Sequence, residues 1–420
     1  MGVILFGLFA LFLILGVPIA FVLALSSIGA IYYADYPIVV LSQRLFTSLD
    51  SFPLMAIPLF MLAGSIMGHG GITKRIIDFA LSIVGSIKGS LAHVVSMSGV
   101  MLGGISGSGV ADAAALASIM VPEMKRRKYD LGFSAALVAA SGSIGLIIPP
   151  SIALIIYGVT TQASIGDLFL AGIVPGILIA LGFFLYSFYV AKKNNYPAEG
   201  KVSFPGVWKS FKSAIWALLM PIIIIVGIRG GVFTATEGGA IISVYALIIS
   251  MFIYKELKIK DLPKIFFEAS VSTAVISIII AATSLFSWLL SSQQIPQQIT
   301  TALLGVSDNP IVILLIINLL LLVVGMFLDS SPAIMLLAPI LGPVAINMGV
   351  DPVQFGLVMV INLTIGLLTP PVGTAMYVSS NISGVPIMKL SKSLIPFWLI
   401  MITVLLLVTF VPAITTFFIK

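Results

Sequence analysis

The stretch SGSIGLIIPPSIALIIYG, residues 141–158, is a run of apolar residues that two adjacent prolines interrupt in its middle. The stretch NLTIGLLTPPVGTAMYVSS, residues 362–380, has the same I-G-L-x-x-P-P core. The glycine and both prolines of this core recur 221 positions later, as Gly145 and Gly366, Pro149 and Pro370, and Pro150 and Pro371. Proline has no amide hydrogen to donate and interrupts a helix. Both stretches are therefore predicted to be helices that are broken in the middle.

Composition indicates a membrane protein. Of the 420 residues, 60% are hydrophobic and only 9% are charged, and the mean hydropathy is +1.21. In a typical soluble domain about a quarter of the residues are charged. Apolar stretches of roughly 20 residues, long enough to cross about 30 Å of hydrocarbon, recur along the chain. We therefore expect an all-α polytopic membrane protein. Because the sequence has no cysteine, disulfides and thiolate chemistry are excluded.

The net charge of +6 comes from basic residues in short loops between apolar segments. This placement favours orientation in a membrane by the positive-inside rule over nucleic-acid binding. The first apolar segment, residues 1–33, lacks a basic start and is longer than the core of a signal peptide. We interpret it as a retained span with a cytoplasmic N-terminus.

Apolar runs and their breaks predict the membrane spans. They lie near residues 1–33, 52–69, 130–160, 167–191, 213–229, 232–254, 265–290, 352–379 and 394–417. Two further stretches, 92–124 and 309–347, are too polar or too interrupted by glycine and proline for simple crossings. We expect each of them to form a re-entrant helical hairpin.

Three basic clusters indicate the orientation of these spans: residues 125–128, 192–193 and 255–264. All three lie in the cytoplasm if the spans between them alternate in direction. The loops that are then outside, such as TTQASIG and SSQQIPQQITT, carry no lysine or arginine. The hairpin 92–124 therefore starts and ends in the cytoplasm, whereas the hairpin 309–347 starts and ends outside.

The offset of 221 residues extends beyond the two broken helices. It also relates Gly104 to Gly325, Pro122 to Pro343, and Pro175 to Pro396. One extra crossing, 213–229, separates the halves. Because the hairpins open to opposite sides, the repeat is predicted to be inverted, as in secondary transporters with helices broken at the membrane midplane. The alternative is chance similarity between apolar segments rich in glycine and proline.

The hairpin tips carry polar groups. The stretch that begins GGISGSGVAD at residue 103 places Ser106 and Ser108 at the first tip, either as ion ligands or as small packing residues. In the second hairpin Asp329 occupies the position equivalent to Ser108. This carboxylate is either functional or caps the next helix, and the two roles are compatible. Asp112 is interpreted mainly as a structural pairing group, although a functional role stays open.

Other motifs indicate little chemistry. Glu237 lies three residues after Thr234, which is the spacing of a helix capping box. His69 and His93 have no partners at metal-ligand spacing, so no transition-metal site is expected. The sequence has no G-x-x-x-x-G-K-[ST] loop. A gradient is therefore the expected driving force, with no cofactor and no enzymatic activity.

Several long motifs resemble the large membrane subunit of the tripartite ATP-independent periplasmic (TRAP) transporters. They are LGVPIAFVLAL, SFPLMAIPLFMLAGSIM, GGISGSGVADAAALASIMVPEMKRRKYD, GSIGLIIPPSIALIIYG, SIGDLFLAGIVPG, FTATEGGA and INLTIGLLTPPVG. Together they cover nearly the whole chain. Three positions depart from the pattern: Leu146 and Ala235 stand where proline is usual, and Gly109 where serine is common.

The resemblance implies an elevator mechanism in the bacterial inner membrane, in which a mobile domain of two hairpins and two broken helices moves substrate past a fixed scaffold. It also implies sodium coupling, a small four-helix membrane subunit, and a periplasmic binding protein that delivers an organic acid. On this basis the scaffold comprises residues 1–91 and 232–308. The transport domain comprises 92–191 and 309–420, and residues 192–231 form a connector with the extra crossing.

The resemblance also implies site residues. One sodium site would use Ser106, Ser108 and carbonyls near Gly145, Ile148 and Pro150. Its counterpart would use Gly325, Gly366, Thr369 and Thr374. The substrate would lie near Ser108, Ser151, Asp329, Gly373 and Thr374. C4-dicarboxylates, sialic acids, other sugar acids and sulfonates all fit a site of helix termini and hydroxyls.

Three other functions stay open at this stage. A one-component sodium–dicarboxylate symporter would have a similar layout but would need no binding protein. A gated channel requires a continuous polar pore face, which the sequence does not show. An intramembrane protease could use Asp112 and Asp329 as a dyad, but the two residues fall on hairpins predicted to open to opposite sides.

Overall fold

The computed structural model describes residues 1–200, 202–307, 309–417 and 419, apart from the side chains of residues 300, 303, 304 and 306. Every regular element in these residues is helical. The first half contains α1 (Gly2–Ile14), α2 (Ile19–Tyr33), α3 (Val39–Thr47), α4 (Ala56–His69), α5 (Ile72–Val84), α6 (Ser90–Ser106), α7 (Gly109–Arg126), α8 (Leu131–Ser143), α9 (Ile152–Thr161) and α10 (Ile165–Lys193).

A connecting helix and a second half follow. They contain α11 (Phe204–Arg229), α12 (Ala235–Ile248), α13 (Leu262–Ser292), α14 (Ile295–Val306), α15 (Pro310–Gly325), α16 (Ser330–Asn347), α17 (Pro352–Gly366), α18 (Thr374–Ser383), α19 (Ile387–Phe410) and α20 (Ala413–Thr416). Short 3₁₀ turns lie at Phe52–Met55, Ile144–Leu146 and Ile259–Asp261, and a π-helical turn at Ile249–Ile253 extends α12.

Length and composition allow seven helices in the described part of the chain to cross a membrane. They lie at Phe52–His69, Ile165–Lys193, Phe204–Arg229, Ala235–Ile253, Ile259–Ser292, Ser330–Asn347 and Ile387–Phe410. Their apolar surfaces confirm a multi-pass membrane protein.

The repeat seen in the sequence is present in the helix boundaries. Adding 221 to the bounds of α7 gives residues 330–347, which are the bounds of α16. The helices α6 to α10 correspond in the same way to α15 to α19, within a few residues. The predicted breaks are also present, because α8 and α9 are separated at residues 144–151 and α17 and α18 at residues 367–373. The bonds Pro149–Pro150 and Pro370–Pro371 are both cis.

At the centre of the molecule, helices of one repeat pack on helices of the other. The second half of each broken helix contacts the hairpin of the other repeat, so α9 packs on α16 and α18 packs on α7. In the same way α8 contacts α19 and α10 contacts α17. A second group forms around α4 and α13, which pack on each other. α4 also packs on α12, and α13 also packs on α2. The hairpins and broken helices therefore form one body that both repeats share.

Helix ends are specified locally. Gly107 ends α6 with a φ of +64°, a left-handed conformation that glycine adopts without steric cost, and this allows the chain to turn into α7. The predicted capping box of α12 is confirmed, because Thr234 Oγ1 accepts from the Glu237 amide at 3.3 Å and Glu237 Oε2 accepts from the Thr234 amide at 2.7 Å.

Three predicted spans need correction. Residues 1–33 are not one span but two short helices that fold back on each other, with Leu8 of α1 packed against Gly29 of α2. The chain turns at Gly16, which has a φ of +75°, before Pro18. The extra crossing predicted at 213–229 begins at Phe204, and the last span begins at Ile387 rather than near residue 394.

Candidate functional site

A cavity of about 710 Å³ lies between the two hairpin tips. The first tip contributes residues 107–110, and the second contributes residues 329–332. The broken helices supply Leu146, Ile152, Leu367 and Thr374, and α4 and α13 complete the wall with apolar side chains such as Met61 and Ile276. The predicted substrate residues Ser108, Asp329 and Thr374 all line this cavity.

The first tip brings Ser106 to the broken helix through Asp112. Ser106 Oγ donates a hydrogen bond to Asp112 Oδ1 at 2.6 Å and accepts one from the Ser108 amide at 3.1 Å. Asp112 is only 4% exposed, and its Oδ2 has no hydrogen-bond partner among the described residues. A Cβ atom added at Gly145 would collide with this Oδ2, so the free oxygen faces the backbone of the break.

The remaining residues of the first predicted ion site lie close by. The Pro150 carbonyl is so near Gly107 that a Cβ there would meet its oxygen at 2.5 Å. The Ile152 amide donates to the Gly107 carbonyl at 3.4 Å, which joins the tip to the start of α9. The side chain of Ile148 points elsewhere and packs on Gly176 of α10.

The second tip repeats this arrangement with different side chains. Gly325 and Gly366 lie in direct backbone contact, because a Cβ added at Gly366 would collide with the main chain of Gly325. The Val372 amide donates to the Met326 carbonyl at 3.2 Å. Asp329 Oδ1 accepts from the Ser330 amide at 2.8 Å, which confirms its predicted role as the cap of α16, while its side chain stays exposed to the cavity.

The break after α17 brings Thr369, Gly373 and Thr374 together. Gly373 has a φ of +41°, and a Cβ added there would lie 2.9 Å from the Thr369 carbonyl oxygen. Thr369 Oγ1 donates to the Ile365 carbonyl at 2.7 Å. The Oγ1 atom of Thr374 is buried and has no hydrogen-bond partner in the part of the chain that the structure describes.

Ser151 caps a helix. Its Oγ donates to the Leu146 carbonyl at 2.5 Å and accepts from the Leu154 amide at 3.2 Å, and its side chain is fully buried. Ser151 does not line the central cavity, although Ile152 beside it does. The hydroxyl therefore holds the start of α9 in place.

Two of the three departures from the family pattern are in contact. A Cβ atom added at Gly109 would lie 3.1 Å from Cγ of Leu146 and 3.0 Å from the Cα of Ser143. The leucine side chain therefore occupies room that a serine at position 109 would need. Both residues line the cavity, so the paired departures change the shape of its wall. The third, Ala235, is the first residue of α12 and lies away from this cavity.

The predicted pairing of Asp112 within the hairpin is confirmed by its hydrogen bond with Ser106, whereas the wall contributed by α4 and α13 was not predicted. Asp112 lies six residues after Ser106 and on the next helix, so their contact depends on the turn between α6 and α7. In the sequence, Asp112 stands out as a carboxylate in an apolar segment, where its burial is costly.

The residues 6–414 match the family model described as "Tripartite ATP-independent periplasmic transporter, DctM component". The chain belongs to this family. The family match confirms the resemblance seen in the sequence, and it describes a component of a transporter rather than an enzyme.

Relatives of this DctM-family chain include named transport proteins. It is 42% identical over 421 residues to "Isethionate TRAP transporter permease protein DctMQ" of Oleidesulfovibrio alaskensis, covering 99% of this chain and 66% of that protein. It is 40% identical over 404 residues to "Sialic acid TRAP transporter large permease protein SiaM" of Vibrio cholerae, covering 96% of this chain and 93% of that one.

A solved transporter structure shares the fold. The MtrF protein of Neisseria gonorrhoeae, described as one of a class of antimetabolite efflux pumps, aligns with a TM-score of 0.63 over 90% of this chain and 85% of that chain. The sequence identity is 15%, so this likeness concerns the fold alone.

Proposed function

We propose that this chain is the large subunit of a sodium-coupled secondary transporter that takes up a small organic acid anion across the bacterial inner membrane. One observation carries the proposal: four helices begin at the central cavity. The first residues of α7, α9, α16 and α18 are Gly109, Ile152, Ser330 and Thr374, and all four line it. A helix N-terminus carries a partial positive charge and free amides, which favour an anion.

The polar side chains at the cavity suit a small anion with hydroxyl or carboxyl groups. Ser108 and Ser331 supply hydroxyls that can donate to a carboxylate, and Thr374 also lines the cavity although its Oγ1 is buried. Among the described residues Asp329 supplies the one carboxylate of the lining, which can accept from a substrate hydroxyl but would repel an ionised group. In this proposal Ser151 and Gly373 shape the ends of α9 and α18. The names of two relatives, which refer to isethionate and sialic acid, support an organic acid as the substrate class.

Several buried oxygen atoms lack hydrogen-bond partners in the described residues, and sodium coupling is supported by two of them that lie beside the breaks. They are Oδ2 of Asp112, beside Gly145, and Oγ1 of Thr374, beside the Thr369–Gly373 turn. A buried polar oxygen without a partner is costly, and a bound cation removes that cost. The proposed ion sites use Ser106, Ser108, Asp112 and the carbonyls of Gly145, Ile148 and Pro150 on one side. On the other side they use Gly325, Gly366, Thr369 and Thr374.

An elevator movement is supported by how the helices group. The hairpins and broken helices of both repeats pack crosswise into one body, whereas α2, α4, α12 and α13 form a second group. We propose that the first body (residues 92–191 and 309–420) moves relative to the second (1–91 and 232–308), and that residues 192–231 connect them. The three basic clusters lie in the cytoplasm. The cytoplasmic N-terminus expected from one span over residues 1–33 no longer follows, because α1 and α2 fold back on each other. A small four-helix subunit and a periplasmic binding protein complete the transporter.

Reconstituted uptake tests the proposal. The chain and its small subunit are placed in liposomes, and the binding protein is loaded with whichever organic acid most raises its melting temperature. We expect uptake of the radiolabelled acid only when both the binding protein and an inward sodium gradient are present. Uptake without the binding protein would instead support a one-component sodium–dicarboxylate symporter, and uptake without a sodium gradient would contradict the coupling.

A further inference from the structure

We infer that a second, polar passage leads from the basic end of the molecule to the first hairpin tip, and that His69 and Glu268 span its mouth. The passage is the route by which substrate and coupling ions leave the central cavity. This inference rests on the proposed function, because it assigns a release route to the same site.

The passage is a cavity of about 320 Å³ between α4, α13 and the first hairpin. It shares Met61, Ser108 and Ile152 with the central cavity, so the two cavities meet at the tip. Ser106, whose hydroxyl binds Asp112, also lines it. In this proposal, cargo released at the tip enters the passage.

Polar residues follow one face of each helix that forms the passage. On α4 they are Ser65 and His69, four residues apart, and on α13 they are Glu268 and Ser272, also four residues apart. Residues with this spacing lie on one face of a helix, one turn apart. Polar side chains within membrane helices face the interior of the protein or a water-filled cavity. The two polar faces meet across the passage.

At the mouth of the passage His69 of α4 faces Glu268 of α13. His69 Nδ1 lies 3.0 Å from the Ser65 carbonyl oxygen, which can only accept, so Nδ1 is the donor. Nε2 then faces Glu268 Oε2 at 3.7 Å, and this contact is attractive when Nε2 is also protonated. Lys264 Nζ approaches the other oxygen of Glu268 at 3.9 Å. The His69 and Glu268 side chains are 38% and 40% exposed, as expected at an opening.

The position of this mouth indicates the side to which it opens. α4 ends at His69, and α13 begins at Leu262, within the basic cluster at residues 255–264, whose last lysine lies four residues before Glu268. Gly68 also lines the passage, and a Cβ atom added there would meet no atom within 4 Å. A larger side chain at Gly68 would therefore enter open space and obstruct the passage without a collision at its Cβ.

Cysteine labelling tests the passage, because the natural chain has no cysteine. The charged, membrane-impermeant reagent sulfonatoethyl methanethiosulfonate is added to either side of sealed vesicles that contain the Ser272→Cys variant. The matched control is Val271→Cys, whose side chain neighbours Ser272 on α13, does not line the passage and is 47% exposed. We expect Ser272→Cys to react from the basic side only, at least tenfold faster than the control.

Two double variants, each with one further substitution in the Ser272→Cys protein, test whether residues at the mouth control access to the passage. Glu268→Gln removes the carboxylate charge that His69 and Lys264 face and is expected to raise the labelling rate severalfold. Gly68→Leu is expected to lower it severalfold. Equal labelling of Ser272→Cys and Val271→Cys, labelling from the opposite side, or a rate that neither substitution changes would overturn the inference. Uptake measured on the same variants separates the two proposals. Normal uptake without labelling refutes only the passage, and labelling without sodium-driven uptake refutes only the proposed function.

Discussion

At the scale of single residues, Asp112 joins the first hairpin to the first broken helix. One of its oxygens holds Ser106, and the other faces Gly145 without a partner in the described residues. In the second half the equivalent position is Ala333, and the unpartnered oxygen belongs to Thr374 instead. The two proposed ion sites therefore differ in charge, although the backbones around them correspond.

The variant Asp112→Asn tests the charge at the first ion site. Asparagine keeps an oxygen for the Ser106 hydrogen bond but replaces the unpartnered oxygen by an NH₂ group, which donates hydrogen bonds and cannot bind a cation. We expect the sodium concentration for half-maximal uptake to rise roughly tenfold, a loss of about 1.4 kcal/mol of ion binding. The control is Asp35→Asn, on an exposed residue with a φ of +55° that asparagine also tolerates. Equal sodium dependence of the two variants would return Asp112 to a purely structural role.

The contact between Gly109 and Leu146 can also be tested, because the missing side chain at Gly109 leaves room for the Leu146 side chain. Gly109→Ser is expected to lower stability by about 1–3 kcal/mol, as overpacking typically does, and to slow uptake. Adding Leu146→Ala should recover part of this loss, since it removes the side-chain atoms nearest to the new Cβ. Thermal unfolding of the two single variants and the double variant measures the coupling. Strict additivity of the two effects would show that the contact does not matter.

At the scale of helices, the breaks depend on close approach of backbones as well as on proline. Gly103 of α6 lies against Gly145, where an added Cβ would be 2.6 Å from the Gly145 Cα, and Gly325 of α15 lies against Gly366. Such contacts leave no room for a side chain on either helix. Each hairpin is therefore held on its broken helix by main-chain contact, which positions the tip at the cavity.

Gly366→Ala tests this contact at the second hairpin. The added methyl group would collide with the Gly325 backbone, so α15 must move away from α17, and we expect a loss of about 1–3 kcal/mol together with most of the uptake. The matched control is Gly342→Ala on α16, where an added Cβ has no neighbour within 4 Å among the described residues. Thermal unfolding and uptake are measured for both variants. If Gly366→Ala behaved like Gly342→Ala, the backbone contact would not position the tip.

At the scale of the whole molecule, the basic clusters and the repeat predict one orientation in the membrane. Arg126, at the end of the first hairpin, is exposed and pairs with Glu123, and Gln297 on α14 is also exposed. In cysteine variants of intact cells, we expect Arg126→Cys to react only from the cytoplasm and Gln297→Cys only from outside. Labelling of both from the same side would show that the repeat is not inverted.

The sequence alone determined the membrane class, the repeat and the positions of the two breaks. These features are local or periodic: an apolar run, a proline pair without amide hydrogens, and an offset of 221 residues can all be read without knowing any contact. The capping roles of Asp329 and Glu237 were predictable for the same reason, since a cap involves residues at most three positions apart. The neighbourhood of the cavity followed from pairing the two tips.

The tertiary structure decided which atoms face which. The sequence did not show that Asp112 faces Gly145, that Ser151 uses its hydroxyl to cap α9, or that residues 1–33 fold back at Gly16. Nor did it show that α4 and α13 wall the cavity. These arrangements depend on contacts between segments far apart in the chain, such as α4 against α6 of the first hairpin and α13 against α16 of the second. Such contacts are set by how helices pack, and neither apolar periodicity nor the position of a proline specifies that packing.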